Sequence, residues 1–381
     1  MQRGLYVHVP FCVRKCYYCD FNSYTVERGA VDAYLDALAR EIALHARSDP
    51  PAFDTIYFGG GTPSILSGAA LCSIVARLRA AFAISDAAEI TLEANPGSLT
   101  PGKLAAWGEA GVNRVSLGVQ SFDDELLARL GRSHSAQDAI EAIAAIRRAG
   151  FTNFNIDLMF GLPGQSAAQW DETLRRAIDL APPHVSCYSL IIEEGTPYGE
   201  WYARGQLRLP GEDAEADMYE RAIERLSAAG YEHYEISNFA LPAHRSVHNQ
   251  IYWRNEPYVG LGPGAHSYWR GVRTANVRPV GAYAARLRAG DDAVESRWPV
   301  GTDDEMDETM MLGLRLLEGV SEHRFRSRFG RSLTDTYGAS IAALVRDGLL
   351  EHDTAGVRLS RRGLFLANRV FAAFLREPAL R

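Results

Sequence analysis

The chain has 381 residues, enough for one large domain and a smaller one, and its 47% hydrophobic and 23% charged residues describe a soluble globular protein. That balance excludes a disordered or collagen-like chain, and no run of about 18 uncharged apolar residues offers a membrane anchor. A formal net charge of -7 gives no general attraction to nucleic acid, and none is expected as a partner. The N-terminus enters an apolar run at Leu5 without the basic region and cleavage site of a secretory leader, so a cytoplasmic location is expected.

In chain order, short β-branched and aromatic runs predict strands at 5–11, 55–58, 89–93, 114–120, 153–160 and 185–192. Apolar residues at three- and four-residue spacing predict helices at 30–46, 68–82, 101–110, 136–149 and 166–180. Ser67-Gly68 and Thr100-Pro101 read as helix starts, Gly111 and Gly150 as helix ends. This alternation predicts an α/β fold, a parallel sheet closed as a partial (β/α)6-type barrel. A helix at 213–229 and a run at 231–236 suggest a seventh unit, whereas the Gly- and aromatic-rich stretch 248–268 fits no regular period. From residue 302 the pattern changes to helices at 305–317, 321–329 and 334–347, a hairpin at 350–352 and 357–359, and a last helix at 361–375. Helices followed by a two-stranded wing suggest a small winged-helix-like α+β domain. The expected division is a barrel core at 1–235, a connecting segment packed on it at 236–300, and the C-terminal domain at 301–381. Twelve acidic residues match twelve arginines between Asp303 and Arg381, which favours packing on the barrel over DNA binding.

Five cysteines is an odd number, and Cys12, Cys16 and Cys19 fall within eight residues directly after the first predicted strand. Such a cluster reads as metal ligation rather than a disulfide framework. Three thiolates on one loop can ligate three irons of a 4Fe-4S cubane and leave the fourth iron open. A structural zinc site needs a fourth nearby ligand, and Asp20 and Phe21 follow instead. Cys72 and Cys187 sit in apolar surroundings and are expected to pack in the core.

The CxxxCxxC pattern after a first barrel strand resembles the radical S-adenosylmethionine (SAM) superfamily. In a βα barrel, ligands gather at the C-terminal strand ends. Those ends carry the cysteine loop, Gly59-Gly60-Gly61-Thr62, Glu93, Gln120, Asp157 and Ser189. The resemblance implies a 4Fe-4S cluster on the three cysteines, SAM on its open iron, and an electron donor that reduces the cluster so that SAM yields a 5′-deoxyadenosyl radical. Against SAM, Gly60 and Gly61 would let backbone approach the amino-acid part, and Glu93 would accept from the ammonium or ribose. Gln120 and Asp157 would bind ribose hydroxyls, Arg132 the carboxylate, and Tyr6 and Tyr18 would reach the ligand and its adenine.

Longer strings narrow the resemblance: Tyr6-Val-His-Val-Pro-Phe-Cys12, Tyr57-Phe-Gly-Gly-Gly-Thr-Pro63, Gly118-Val-Gln-Ser-Phe122 and Asn155-Ile-Asp-Leu-Met-Phe-Gly-Leu-Pro163 are similar to the oxygen-independent coproporphyrinogen III oxidase-like family. One branch of that family oxidatively decarboxylates coproporphyrinogen III in porphyrin biosynthesis and has a fourth cysteine where this chain has Phe21. The other, the heme chaperone HemW branch, lacks it and delivers heme to acceptor hemoproteins. Phe21 and the short lead before the cysteine loop point to the second, while turnover of a tetrapyrrole stays open. His248-Asn-Gln-Ile-Tyr252-Trp253 resembles that branch's HNxxYW motif, associated with heme binding. There His248 would serve as an axial ligand, with Tyr252 and Trp253 as flat apolar surface. Gly260-Leu-Gly-Pro-Gly-Ala-His266 fits G-x-G-x-x-A but lies too late for a dinucleotide site, and is expected as a tight loop placing His266 near SAM or heme.

Overall fold

A computed structural model of the chain describes residues 1–46 and 52–376. Six strands form in chain order: β1 (Gly4–Val9), β2 (Phe53–Gly60), β3 (Ile84–Ala94), β4 (Arg114–Gln120), β5 (Phe154–Phe160) and β6 (His184–Ser189). Each pairs in parallel with the next. Between them run α1 (Ala30–Ala46), α2 (Gly68–Ala81), α3 (Pro101–Glu109), α4 (Ala136–Arg148) and α5 (Ala167–Leu180). The helix starts are locally encoded. Ser67 and Thr100 accept from the N–H groups of Ala70 and Lys103, and Ser135 and Ser166 form reciprocal capping boxes with Asp138 and Gln169.

The strands are buried on both faces but alternate in chemistry. Leu5, Val7, Ile56, Phe58, Ile90, Leu92, Val115, Leu117, Ile156, Leu158 and Val185 belong to one apolar core cluster that includes the helices. Their alternate neighbours Tyr6, Tyr57, Glu93, Ser116, Asp157 and Ser186 line cavities instead. With period two, one set of positions packs under helices and the other faces the interior of the curled sheet. Cys187 is buried in the apolar layer, and Cys72 is half-buried on α2.

Beyond β6, α6 (Glu212–Ala228) leads into β7 (Glu232–Glu235) and β8 (Asn238–Ala240), and β8 runs antiparallel to β6. The run expected to start a seventh unit is therefore an edge hairpin, because the turn between β7 and β8 is too short for a parallel crossover.

The stretch that fits no period also contains regular structure: α7 (Val247–Trp253), β9 (Tyr258–Leu261) and β10 (His266–Trp269). After it come β11 (Val272–Asn276), α8 (Val280–Ala289) and β12 (Val294–Pro299). β9 pairs in parallel with β1, so the sheet order is β12-β11-β10-β9-β1-β2-β3-β4-β5-β6-β8-β7. Segment 236–300 is thus part of the sheet as well as packed against it. Gly260 to His266 turns β9 into antiparallel β10 with no helix after it, so its glycine pattern is a hairpin turn.

The C-terminal unit comprises α9 (Thr302–Gly313), β13 (Val320–Ser321), α10 (Glu322–Phe329), α11 (Leu333–Arg346), β14 (Leu350–His352), β15 (Gly356–Leu359), α12 (Arg361–Phe365) and α13 (Ala367–Ala372). The wing has three strands, in the order β13-β15-β14. The single last helix expected from the sequence breaks at Leu366, and residues 377–381 lie outside the described residues. Arg328 ties the unit to the turn after α7 by donating to the backbone oxygens of Arg254 and Asn255, and Arg273 on β11 pairs with Glu308 at 2.6 Å. Among the described residues no helix is long and apolar enough to cross a membrane.

Two buried polar contacts hold the later segments to earlier elements, one at β2 and β3 and one at α1. Glu89 accepts from the N–H groups of Val247 (3.1 Å) and His248 (3.0 Å), anchoring α7 across the N-terminal end of the sheet. The His248 ring is 0% exposed, shares hydrogen bonds with Thr55 Oγ1 (2.7 Å) and the Tyr252 hydroxyl (2.8 Å), and stacks on Tyr57. Glu41 on α1, 3% exposed, accepts from the Gly262 N–H (2.7 Å), Asn276 Nδ2 (2.6 Å) and the Tyr283 hydroxyl (2.6 Å).

Both contacts are testable by urea unfolding. His248→Ala strands two buried hydroxyls and opens a void, and is expected to cost about 2–4 kcal/mol at pH 7. A loss below about 0.5 kcal/mol would contradict this packing role. Burial pushes the Glu41 carboxyl from its ordinary 4.5 up to about 7, so the folded state holds the extra proton in that window. Wild-type stability relative to Glu41→Gln should therefore fall by up to about 3 kcal/mol as pH rises from 4.5 to 7, then level off.

Candidate cofactor site

The cysteine loop leaves β1 at the C-terminal end of the sheet. Phe11–Cys12 pairs with Tyr24–Thr25, which fixes both ends of the loop. Its middle is pinned by backbone bonds from Tyr17 N–H to Leu130 O (3.1 Å) and from Tyr198 N–H to Tyr17 O (3.0 Å). Cys12, Cys16 and Cys19 are free thiols that line one cavity of about 300 Å³. A chain of hydrogen bonds connects two of them through the strand ends. Thr62 Oγ1 donates to Cys12 Sγ (3.5 Å), Asn95 Nδ2 to Thr62 Oγ1 (3.1 Å), and Arg132 reaches both Asn95 Oδ1 (2.6 Å) and Cys16 Sγ (3.5 Å). Burial pushes the Cys19 thiol pKa up, a penalty that iron ligation of the thiolate would offset.

The rest of that cavity is polar. Gly60 and Gly61 carry the chain past His8 and the Phe11 backbone. Gly60 has φ +111°, and a Cβ on Gly61 would lie 2.6 Å from Phe11 O, so neither position accepts a side chain. Glu93 accepts from the Tyr57 hydroxyl (2.7 Å) and the Gly60 N–H (3.2 Å). Burial first, then the nearby Asp157, pushes its pKa to about 7. Asp157 accepts from Asn155 (2.7 Å), and burial raises its pKa too. Gln120 ends β4 with φ +68°, a left-handed conformation uncommon outside glycine, and accepts from the Tyr188 hydroxyl at 2.8 Å.

These residues fit a cluster with SAM. Glu93 and Asp157 face the cavity with no ion-pair partner among the described residues, and SAM brings a sulfonium and an ammonium. The buried Nε atoms of Arg132 and Arg114 are unbonded, and both residues line the cavity. Three free thiols match the three irons such a cluster offers to protein.

The structure brings Cys12, Cys16, Cys19, Tyr18, Gly60, Gly61, Thr62, Glu93, Gln120, Arg132 and Asp157 into this one cavity. A second cavity of about 410 Å³ adjoins it across Phe21, Gly60 and Glu93, and is lined by Tyr6, Tyr252 and His266 among others. Three expectations need correction. Ser189 lies one residue out of phase with the inward-facing Ser186 and Tyr188, and its hydroxyl bonds Glu215 instead (2.5 Å). His248 cannot offer a ring nitrogen to iron in this geometry, since it is fully buried with both nitrogens engaged. Trp253 turns toward the C-terminal unit, where the Arg315 guanidinium lies 4.3 Å over its ring. The sequence reading missed Asn95, Arg114, Asn155, Ser186 and Tyr188. Counting back by twos from Gln120 and Asp157 would have found Arg114 and Asn155.

Comparison with known proteins follows the same division. The Radical SAM superfamily matches residues 6–177, and the HemN C-terminal domain matches residues 302–366. The heme chaperone HemW of Bacillus subtilis is 41% identical over 377 residues, covering 98% of this chain and 100% of that protein. Heme chaperone HemW of Escherichia coli is 38% identical, covering 98% of each chain. The solved coproporphyrinogen III oxidase HemN of Escherichia coli, described as a radical SAM enzyme, superposes with a TM-score of 0.85 over 98% of this chain and 90% of its own. At 24% identity that last likeness establishes the fold alone. Because the likeness to the chaperones runs through sheet, cysteine loop and C-terminal unit alike, the chain belongs to the heme chaperone HemW family of the radical SAM superfamily.

Proposed function

We propose that the protein is a heme chaperone that holds a 4Fe-4S cluster on Cys12, Cys16 and Cys19 with SAM on the open iron, binds heme, and passes it to acceptor hemoproteins in the cytoplasm. The observation that carries this reading is the 41% identity to a heme chaperone over 98% of the chain. Phe21 at the position of a fourth cysteine in the decarboxylating branch supports it.

When bound and reduced by an outside electron donor, the cluster and SAM supply one-electron chemistry. The chain's own residues bind and orient. Arg132, held by Gly118 O and Asn95 Oδ1 at 2.6 Å each, keeps a positive charge beside the Cys16 sulfur and steadies the loop. Glu93 and Asp157 receive the cationic end of SAM, which would draw both carboxyls back toward ionisation. Tyr18, inside the cysteine loop, and Phe21, two residues after it, line the same cavity as the thiols. The alternative, oxidative decarboxylation of coproporphyrinogen III, would use the same cluster and SAM residues and differ only in the fate of the tetrapyrrole.

Two experiments test the reading. Anaerobic reconstitution should give about four irons per chain in wild type and in Cys72→Ala or Cys187→Ala, and near none in alanine variants of Cys12, Cys16 or Cys19. Full iron loading in any of the last three would remove that cysteine from the ligand set. Reconstituted protein with SAM, reductant and coproporphyrinogen III should return the tetrapyrrole with its carboxyl groups intact, and heme-loaded protein should transfer heme to an apo-hemoprotein. Loss of two carboxyl groups in step with 5′-deoxyadenosine release would make it a dehydrogenase and sink the chaperone reading.

A further inference from the structure

We infer that heme seats in the second cavity, with its iron on the imidazole of His266, its propionates on Arg278 and its ring face against Phe21 and Trp298. This assignment rests on the protein being a heme chaperone.

Ring nitrogens decide among the histidines. Of the ten in the chain, His8, His184 and His266 line the two cavities. His8 shares its nitrogens with the Tyr6 hydroxyl (2.9 Å) and Asn22 O (2.8 Å), and His184 with Asn155 Oδ1 (2.6 Å) and the Tyr234 hydroxyl (2.9 Å). His266 begins β10, is exposed, and has no hydrogen-bond partner at either nitrogen among the described residues. Partial burial and the fields of Arg273 and Arg278 hold its pKa below the ordinary value, so the ring is neutral at pH 7 with a lone pair to donate.

Charge and shape agree with that choice. Arg278 is the only Lys or Arg lining this cavity, and its side chain makes no ion pair among the described residues. Asp20 and Glu93 line the same space, so a dianionic ligand is steered with its carboxylates toward Arg278. Two exposed aromatic rings lie close by: Phe21, which lines the cavity, is 59% exposed, and Trp298, outside the lining and 39% exposed, stands edge-on 6.5 Å from the His266 ring. Tyr252 and Tyr258 form a further wall, edge to face at 4.7 Å. An exposed ring in the cavity wall and another beside an unbonded imidazole offer flat apolar surface to a flat ligand. Phe21 lines both cavities. The side chain that stands in place of a fourth cysteine therefore gives an apolar face to the heme side and borders the cluster side.

The test titrates hemin and metal-free protoporphyrin IX into the full-length wild type and into His266→Ala, Arg278→Ala and, as a control, His323→Ala on α10. His266→Ala is expected to shift the Soret band and weaken hemin binding about tenfold or more, leaving protoporphyrin affinity within about twofold. Added imidazole should restore the wild-type hemin spectrum, which a merely misfolded variant would not allow. Arg278→Ala should weaken both ligands several-fold, and His323→Ala neither. Wild-type hemin spectrum and affinity in His266→Ala would overturn the seat while leaving the chaperone reading intact. Failure of the wild type itself to bind hemin would overturn the chaperone reading first, and the seat with it.

Discussion

A polar interior enclosed by parallel strands is the constraint on which the rest of this structure depends. The inward positions of β2 to β6 carry Tyr57, Glu93, Arg114, Ser116, Asn155, Asp157 and Ser186, groups that are costly to bury without partners. Side-chain bonds absorb part of that cost: Asn155 alone links Ser116, Asp157 and His184. The remainder is concentrated in Glu93, Asp157, Arg114 and Arg132, which all line the same cavity, the buried Nε atoms of both arginines being unbonded. Such a site holds its charges in place ahead of the ligand, which then meets little reorganisation.

The outer layer supplies the stability that this interior withholds. Each strand presents its alternate residues to α1 to α5, and one contiguous apolar cluster runs from Leu5 to Phe374. The polar and apolar layers are interleaved residue by residue along every strand, so neither can shift register without destroying the other. At the N-terminal end of the sheet, α7 closes the interior through Glu89 and His248. At the opposite end the cysteine loop stays half open, fastened by backbone bonds at Tyr17 and by Thr62 and Arg132 on the sulfurs. The result is a vessel closed at one end, with its reactive groups at the other.

That geometry also separates two cavities. One is lined by the three thiols, while the adjoining one is edged by Phe21, Tyr252 and Tyr258 and by His266, whose ring has no hydrogen-bond partner among the described residues. Only Phe21, Gly60 and Glu93 belong to both. Of these, Gly60 is set by its backbone conformation and Glu93 by its bonds to Tyr57 and Gly60. Phe21 is thus the residue of the three whose side chain is free to differ between proteins with the same sheet.

Local patterns determined a good deal here. The short β-branched and aromatic runs, the apolar residues at helical spacing and the starts at Ser67 and Thr100 were enough to place six strands and five helices, because those signals act within one turn or one pleat. Three cysteines in eight residues pointed to one thiol-bearing loop for the same reason: they are neighbours in sequence. The sequence did not reveal that Tyr258 to Leu261 pairs with β1, since parallel pairing between residues 254 apart leaves no local trace. Nor did it show which polar side chains face inward: Ser189 looked equivalent to Asp157, yet one residue of phase sends it to Glu215. His248 and His266 carry the same ring, and the chain alone ranked His248 first by its motif. Only packing distinguished them, by surrounding one ring with Thr55, Tyr57 and Tyr252 and leaving the other without a hydrogen-bond partner among the described residues, because a side chain's availability depends on neighbours brought together by the fold.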